Sequence, residues 1–201
     1  MTQDLFIIGA TGNVGRTLID QIVREGDCDA ARHKNPSRVV GLASRDQWIY
    51  HKEGVSEETL FLFPHRSDST SMHYNHLKEI VDKVESPNLI FVDVTNGKED
   101  LLLFHESIIR DSNHSLVTAN KNPLTICSYE TFELLTSQVS RYGYRCSVMA
   151  GAEAVTFLQD LRDVNDPPVR IEGSFSGTLG FLVSKLEEQW LFSEALKEAM
   201  E

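Results

Sequence analysis

The sequence has 201 residues, of which 41% are hydrophobic, and its formal net charge is −11. This length suits one large domain or two small ones, and the acidic balance argues against a nucleic-acid partner. No apolar run approaches the ~20 residues that cross a bilayer, so we expect no membrane partner. The three cysteines are too few and too widely spaced for a disulfide framework or a zinc knuckle, which favours a reducing, cytoplasmic location.

The N-terminal segment predicts a strand, a glycine-rich turn and a helix. Residues 5–8 (LFII) indicate a buried strand, and apolar side chains recur at helical spacing after the glycines. In dinucleotide-binding folds such glycines allow a sharp turn, a close approach of the pyrophosphate and tight helix–strand packing, while the helix N-terminus faces the phosphates. A tight turn without a ligand is the alternative. The predicted cofactor contacts in this segment are Gly9, Thr11, Gly12, Asn13, Val14 and Gly15.

A second buried strand is predicted over residues 38–43, and it ends in Ser44 and Arg45. Residues at this place meet the adenosine ribose, where an acidic side chain selects NAD. A hydroxyl and a guanidinium suit a 2′-phosphate instead, so the sequence favours NADP over NAD. Asp46 keeps NAD open, and Arg45 as a solvated loop charge is the alternative interpretation.

Residues 46–75 are polar and irregular, with histidines at 51, 65, 73 and 76 in or beside them. Their spacing matches no zinc template, so we predict no metal site. An insertion containing a short helix or strand is the better interpretation. Apolar side chains on one face then predict a helix over residues 76–84.

A third buried strand over residues 89–94 ends in Thr95 and Asn96. Ligands of doubly wound sheets bind outside the carboxyl ends of the strands, so these two residues are predicted to meet the nicotinamide half of the cofactor. Capping of the next helix, predicted over residues 100–110, explains them equally well.

The fourth strand, over residues 115–119, leads into Asn120 and Lys121, and Pro123 follows near the first turn of a helix. The proline pins the lysine, which can then hold an anion or polarise a carbonyl. A plain surface lysine is the alternative.

The remaining sequence predicts a helix over residues 128–142 closed by Gly143, a fifth strand over 144–149, and a helix that runs to residue 161. Beyond a connector, residues 169–175 alternate like a half-exposed strand of a second sheet. Helices then follow over residues 181–189 and from Ser193, which is the predicted cap of the last one.

Several stretches together resemble the homoserine dehydrogenase family. They are the glycine turn and residues 92–96 (VDVTN), 117–123 (VTANKNP), 148–152 (VMAGA), 171–181 (IEGSFSGTLGF) and 193–199 (SEALKEA). The resemblance covers essentially the whole chain but only about half of a typical member, so we interpret the chain as truncated relative to the family.

The resemblance implies an α/β protein: a Rossmann-type doubly wound parallel sheet (residues 1–148) followed by a partial second α/β domain (residues 149–201). It implies an NADP- or NAD-dependent oxidoreductase of threonine and methionine biosynthesis, which interconverts L-homoserine and L-aspartate 4-semialdehyde and forms a homodimer through the second domain. The residues it places near cofactor and substrate are Thr95, Thr118, Lys121 as the electrostatic catalytic helper, Gly151, and, at the substrate, Gly177 and Thr178. Asn96 and Asn120 are further predicted cofactor contacts.

Some features depart from the family. The glycine spacing is one residue longer, Glu153 stands where members have proline, and residues 145–147 replace the stretch that carries a sodium ligand in some members. The segment that holds the family's acid/base lysine falls beyond the sequence, so a non-catalytic NAD(P)-binding module is an alternative function. An aspartate-semialdehyde dehydrogenase-like enzyme would need Cys127 as a nucleophile activated at a helix start, but a buried, inert thiol is the favoured interpretation.

Overall fold

The computed structural model describes residues 2–25, 28–45, 47–63, 70–71 and 77–200. The chain divides into two compact units, Met1–Tyr144 and Arg145–Glu201. The functional boundary predicted after residue 148 stays a prediction. No helix in the described part of the chain is long and apolar enough to cross a membrane.

The first unit is built on a seven-stranded sheet with the order β4-β3-β2-β1-β5-β6-β7. Strands β2, β1, β5, β6 and β7 are parallel, whereas β3 and β4 add to one edge in antiparallel orientation. The strands are β1 (Gln3–Ile8), β2 (Ser37–Ala43), β3 (Gln47–Tyr50), β4 (Thr70–Ser71), β5 (Leu89–Asp93), β6 (Ser115–Thr118) and β7 (Tyr142–Gly143). The helices of this unit are α1 (Asn13–Arg24), α2 (Glu57–Leu62), α3 (Leu77–Lys83), α4 (Glu99–Asp111), α5 (Asn122–Ile126) and α6 (Tyr129–Ser137).

Two apolar layers cover the two faces of this sheet. Alternate residues of β1 supply both, because neighbouring side chains of a strand point to opposite faces. Phe6 belongs to the layer formed with α3 and α4, and Ile7 to the layer that includes Ile19 and Ile22 of α1. Helix α1 therefore covers one face of the sheet, and helices α3 and α4 cover the other. This arrangement confirms the predicted α/β fold with a Rossmann-type doubly wound sheet.

The insertion predicted over residues 46–75 contains short elements, as expected: β3, α2 and β4. β3 forms an antiparallel hairpin with β2. Asp46, His65, His73 and His76 lie outside the described residues.

Two predictions near the end of this unit are wrong. Residues 144–149 form no strand. The strand at this place is Tyr142–Gly143, which pairs with β6, and the next residues form the 3-10 turns Arg145–Ser147 and Met149–Gly151. Met149 and Ala150 both have a positive φ, which a strand excludes. Helix α6 ends at Ser137 rather than near Gly143, since Gly143 is a strand residue packed against Val117.

The second unit contains α7 (Ala154–Asp163), α8 (Gly177–Glu187) and α9 (Phe192–Met200). The strand predicted over residues 169–175 is wrong: this stretch has no strand pairing among the described residues, and Val169 is fully exposed. Ser193 lies inside α9 instead of capping it. The Glu194 carboxylate accepts from the backbone amide of Leu191 at 3.2 Å and satisfies the start of that helix.

Candidate functional site

The glycine turn after β1 is shaped by close backbone contacts. Gly9 has a φ of +92°, a value that favours glycine, and a Cβ there would lie 3.0 Å from Thr95 Cγ2 and from the Val94 backbone. A Cβ at Gly15 would lie 2.3 Å from the Gly9 carbonyl oxygen and 2.8 Å from Ala10 Cα. The turn therefore needs glycine at both ends, and it lies against the end of β5.

The N-terminus of α1 opens onto this turn. Its cap residue, Gly12, is extended (φ −74°, ψ 168°), no side chain caps the helix, and the first turn carries no acidic residue. Gly12 and Asn13 are exposed, and Arg16 donates from Nε to the Thr11 carbonyl oxygen at 3.2 Å, which braces the turn. The exposed Gly12 and Asn13 at an uncapped, positive helix end fit an anionic phosphate.

Ser44 and Arg45 lie in the turn that joins β2 to β3. The Ser44 amide and hydroxyl both donate to the Gln47 carbonyl oxygen, at 2.8 and 3.3 Å, so the hydroxyl helps to close the hairpin. Arg45 is exposed at the carboxyl end of β2, on the same edge of the sheet as the glycine turn. A guanidinium in this place can reach a ligand that extends beyond the strand end.

The carboxyl end of β5 carries a fully buried carboxylate, Asp93. Its Oδ1 accepts from the Thr95 backbone amide at 2.9 Å. Its Oδ2 accepts from Nδ2 of Asn120 at 3.1 Å and contacts Nε2 of His105 at 3.1 Å. Both oxygens are thus satisfied by groups from three different segments.

The charge state of this cluster follows from its hydrogen bonds. Burial by itself would raise the pKa of the Asp93 carboxyl, but the bonds from His105 and Thr95 outweigh burial and lower it. His105 is also fully buried, and its Nδ1 lies 2.9 Å from the Tyr142 hydroxyl. Burial raises the pKa of Tyr142, so its phenol stays protonated.

Asn120 connects the turn after β5 with the turn after β6. Besides Asp93, its Nδ2 group donates to the Gly97 carbonyl oxygen at 2.8 Å and contacts Thr95 Oγ1 at 3.3 Å. Its own Oδ1 accepts from the Asn122 amide at 3.1 Å. Nearly buried and fully engaged, Asn120 holds the two turns together.

Thr118 is also buried, and its hydroxyl contacts the Asn120 carbonyl oxygen at 3.2 Å and accepts from the Asn120 amide at 2.9 Å. The cofactor contacts predicted for Thr118 and Asn120 stay predictions, and these bonds give both side chains a positioning role.

The capping alternative for Thr95 is wrong, because α4 begins at Glu99 and Thr95 Oγ1 accepts from the Gly97 amide, outside the helix.

Lys121 is exposed and stands at the start of α5, with Pro123 in the first turn of that helix as predicted. Its catalytic role stays a prediction.

Cys127 follows the last residue of α5 instead of opening a helix, and its thiol donates to the Leu124 carbonyl oxygen at 3.5 Å. Burial raises the pKa of this thiol. The hypothesis of a nucleophile activated at a helix start is therefore wrong, and the interpretation of Cys127 as an inert thiol is supported.

In the second unit, Gly151 has a φ of +88° and follows two left-handed residues, which makes a tight local turn. Gly177 and Thr178 line a groove of about 390 Å³ together with Phe181, Glu198 and Ala199. The roles predicted for Gly151, Gly177 and Thr178 stay predictions. Among the described residues, no group of three or more histidine, cysteine or acidic side chains is arranged to hold a metal ion.

Sequence reasoning missed the roles of Asp93, His105 and Tyr142. Two signals were present: Asp93 is an acidic residue inside the apolar run 89–94, and His105 lies on the apolar face of its helix. Either residue alone is compatible with an ordinary buried polar group. The register of β5, β6 and β7, together with the packing of α4 on the sheet, brings the three side chains together.

Fold and turn geometry define a protein of the Rossmann-type α/β class. No protein-family model matches the sequence. The chain is 26% identical over 191 residues to the bifunctional aspartokinase/homoserine dehydrogenase of Daucus carota, covering 94% of this chain and 20% of that protein. It is 32% identical over 115 residues to the homoserine dehydrogenase of Sulfurisphaera tokodaii, covering 55% of this chain and 36% of that protein.

A solved structure of a hyperthermophilic archaeal homoserine dehydrogenase in complex with NADPH has the same fold, with a TM-score of 0.71 and 20% identity, over 99% of this chain and 60% of that one. The sequence relatives confirm the resemblance to the homoserine dehydrogenase family. The chain spans about a fifth of the length of the bifunctional carrot relative and about a third of the length of the archaeal one.

Proposed function

We propose that this chain binds NADP(H) at the carboxyl edge of its parallel sheet and supplies the cofactor half of a homoserine dehydrogenase-type oxidoreductase. The observation that carries the proposal is the glycine turn. A left-handed Gly9, an extended and exposed Gly12, and the uncapped N-terminus of α1 leave backbone amides and open space where a pyrophosphate binds in this fold.

Different residues of the chain contact different parts of the cofactor. The glycine turn and Asn13 hold the pyrophosphate, and the exposed Arg45 meets the 2′-phosphate of the adenosine end. Thr95 and Asn96, which follow β5, meet the nicotinamide half. The similarity to homoserine dehydrogenases, one of them solved with NADPH, supports the choice of NADP.

The reaction we propose is hydride transfer between the nicotinamide and L-homoserine or L-aspartate 4-semialdehyde. The bound cofactor supplies or accepts the hydride. Lys121, at the carboxyl edge after β6, lends positive charge to the carbonyl oxygen as its electron density grows. Gly177 and Thr178 contribute to the substrate side.

The direct test measures NADPH binding to the 201-residue chain by nicotinamide fluorescence, followed by NADP reduction in the presence of L-homoserine. We expect binding in the micromolar range and reduction that depends on homoserine. Binding without turnover would leave a cofactor-binding module and overturn the enzymatic part. Absence of NADPH binding would overturn the whole proposal.

A further inference from the structure

One buried carboxylate links four separate parts of the first unit. Asp93 contacts the turn after β5 through Thr95, the turn after β6 through Asn120, and helix α4 through His105. His105 in turn contacts Tyr142, the first residue of the edge strand β7. Asp93 and His105 are fully buried, and Asn120 and Tyr142 are each 2% exposed, so the cluster is shielded from water.

The polarity of the bond to Asp93 can be assigned from the chemistry of the groups. An ionised carboxylate only accepts, so Nε2 of His105 carries a hydrogen and donates to Asp93. The other ring nitrogen, Nδ1, lies 2.9 Å from the Tyr142 hydroxyl and forms the second hydrogen bond of the ring. Tyr142 thus fixes the orientation of the ring, and His105 fixes the carboxylate.

A second buried carboxylate, at the amino ends of the same parallel strands, provides a comparison for the Asp93 cluster. Asp4, near the start of β1, is nearly buried, but it pairs with the Arg38 guanidinium at 2.8 and 3.0 Å and accepts from the Ser86 hydroxyl at 2.7 Å. A cation there offsets the buried charge. The partners given above for Asp93 are an imidazole, an amide group and threonine, so its charge is held by hydrogen bonds from three segments rather than by a guanidinium.

The Asp93 cluster lies where the ligand is expected. Gly9 packs against Thr95 and the Val94 backbone, so the turn held by Asp93 is the immediate neighbour of the glycine turn. Asn96 is exposed on that turn, and its carbonyl oxygen accepts from Nδ2 of Asn122 at 2.8 Å. The inner side of the turn is fixed by buried bonds, while its outer side is open to a ligand.

We propose that His105 and Tyr142 are positioning residues that act through Asp93 and hold the turn Thr95–Gly97 in the shape that receives the nicotinamide half of the cofactor. This inference rests on the proposed NADP(H) site. Because the cluster acts on one half of the ligand only, its loss weakens binding of the nicotinamide half and spares the adenosine half.

The test compares two ligands on the full 201-residue chain: NADPH, and 2′-phospho-ADP-ribose, which lacks the nicotinamide ring. His105→Leu removes the donor to Asp93. We expect it to weaken NADPH binding about tenfold, the effect of losing one hydrogen bond to a buried charge, while the fragment's Kd changes less than about twofold. We also expect the emission of bound NADPH to shift toward that of the free dinucleotide.

His105→Gln supplies the rescue, because its side-chain amide can place a donor where Nε2 stood. We expect it to recover most of the NADPH affinity. Tyr142→Phe removes only the outer bond to Nδ1, and we expect a smaller loss in the same direction. These two variants decide the question if His105→Leu does not fold.

Ser86→Ala is the matched control, because it removes a buried hydrogen bond to the Asp4 carboxylate, at the amino ends of the parallel strands. It should lower stability without changing the ratio of the two dissociation constants. If the His105 and Tyr142 variants also leave that ratio unchanged while the parent chain binds NADPH, the positioning role is refuted and the proposed function survives. If the parent binds neither ligand, both fall.

Discussion

Substitution of Gly15 by alanine isolates the contact that shapes the glycine turn. The new Cβ would lie 2.3 Å from the Gly9 carbonyl oxygen and 2.8 Å from Ala10 Cα, well inside van der Waals contact. Both atoms belong to the backbone of the turn and cannot rotate away. Overpacking of this kind costs about 3 kcal/mol, and the better helix propensity of alanine offsets about 1 kcal/mol, which leaves a loss of about 2 kcal/mol.

The assay is urea unfolding followed by tryptophan fluorescence. The sequence has two tryptophans, so a Trp190→Phe background leaves Trp48 of β3 as the reporter of the first unit. In that background Gly15→Ala should lower the free energy of unfolding by about 2 kcal/mol and also weaken NADPH binding, because α1 is pushed away from its strand.

Gly12→Ala is the matched control in the same turn. Its Cβ would meet the Gly9 carbonyl oxygen at 3.4 Å, an ordinary contact, and the residue has a negative φ. The expected loss of stability is below about 1 kcal/mol, from the poorer helix cap. NADPH binding should be lost, because in the proposed site the backbone at Gly12 lies against the pyrophosphate and leaves no room for a methyl group. If Gly15→Ala proves as stable as Gly12→Ala, the close-packing argument is refuted.

Three further predictions concern the site and its chemistry. Arg45→Ala should weaken NADPH binding about tenfold and leave NADH binding nearly unchanged, because in the proposed site the guanidinium meets only the 2′-phosphate. Since the folded-state pKa of Asp93 is lowered, its ionised form adds stability above the unfolded pKa of about 3.9, and this is lost as the pH falls through the folded pKa. Asp93→Asn should therefore be less stable at pH 7 and lose less stability on acidification. Cys127, whose pKa is raised by burial, should react more slowly with iodoacetamide at pH 8 than the exposed Cys146.

Each of these three predictions can be refuted by a specific experimental result. Equal losses of NADPH and NADH affinity in Arg45→Ala would remove the 2′-phosphate assignment, with Arg45→Lys as the charge-retaining control. Parallel acid limbs for the parent and Asp93→Asn, measured by unfolding between about pH 2 and pH 5, would show that the carboxylate is not held ionised. Faster labelling of Cys127 than of Cys146 in peptide mapping would restore the nucleophile hypothesis.

The strands of the parallel sheet were the most predictable part of the fold. Residues 89–94 and 115–119 were expected as strands, and the structure has Leu89–Asp93 and Ser115–Thr118. Short, largely apolar runs bounded by turn residues identify strands that are buried on both faces. The glycine turn was equally readable, because Gly9 and Gly15 each answer a local steric demand.

Edges and isolated stretches were not predictable in this way. Residues 144–149 and 169–175 carry strand-like patterns, but a strand also needs a partner, and local sequence does not tell whether one is available. At Met149 and Ala150 the backbone is left-handed instead. Around residues 169–175 the described chain offers no pairing, so the alternation of side chains has no sheet to face.

The sequence by itself determined the Rossmann-type sheet, the glycine turn and the resemblance to homoserine dehydrogenases, because these depend on short contiguous motifs. Only the tertiary structure decided what Asp93, His105 and Tyr142 do. They are far apart in the chain and unremarkable one by one. The parallel register of β5, β6 and β7, with α4 packed on the sheet, places their polar atoms within hydrogen-bond distance beside the glycine turn.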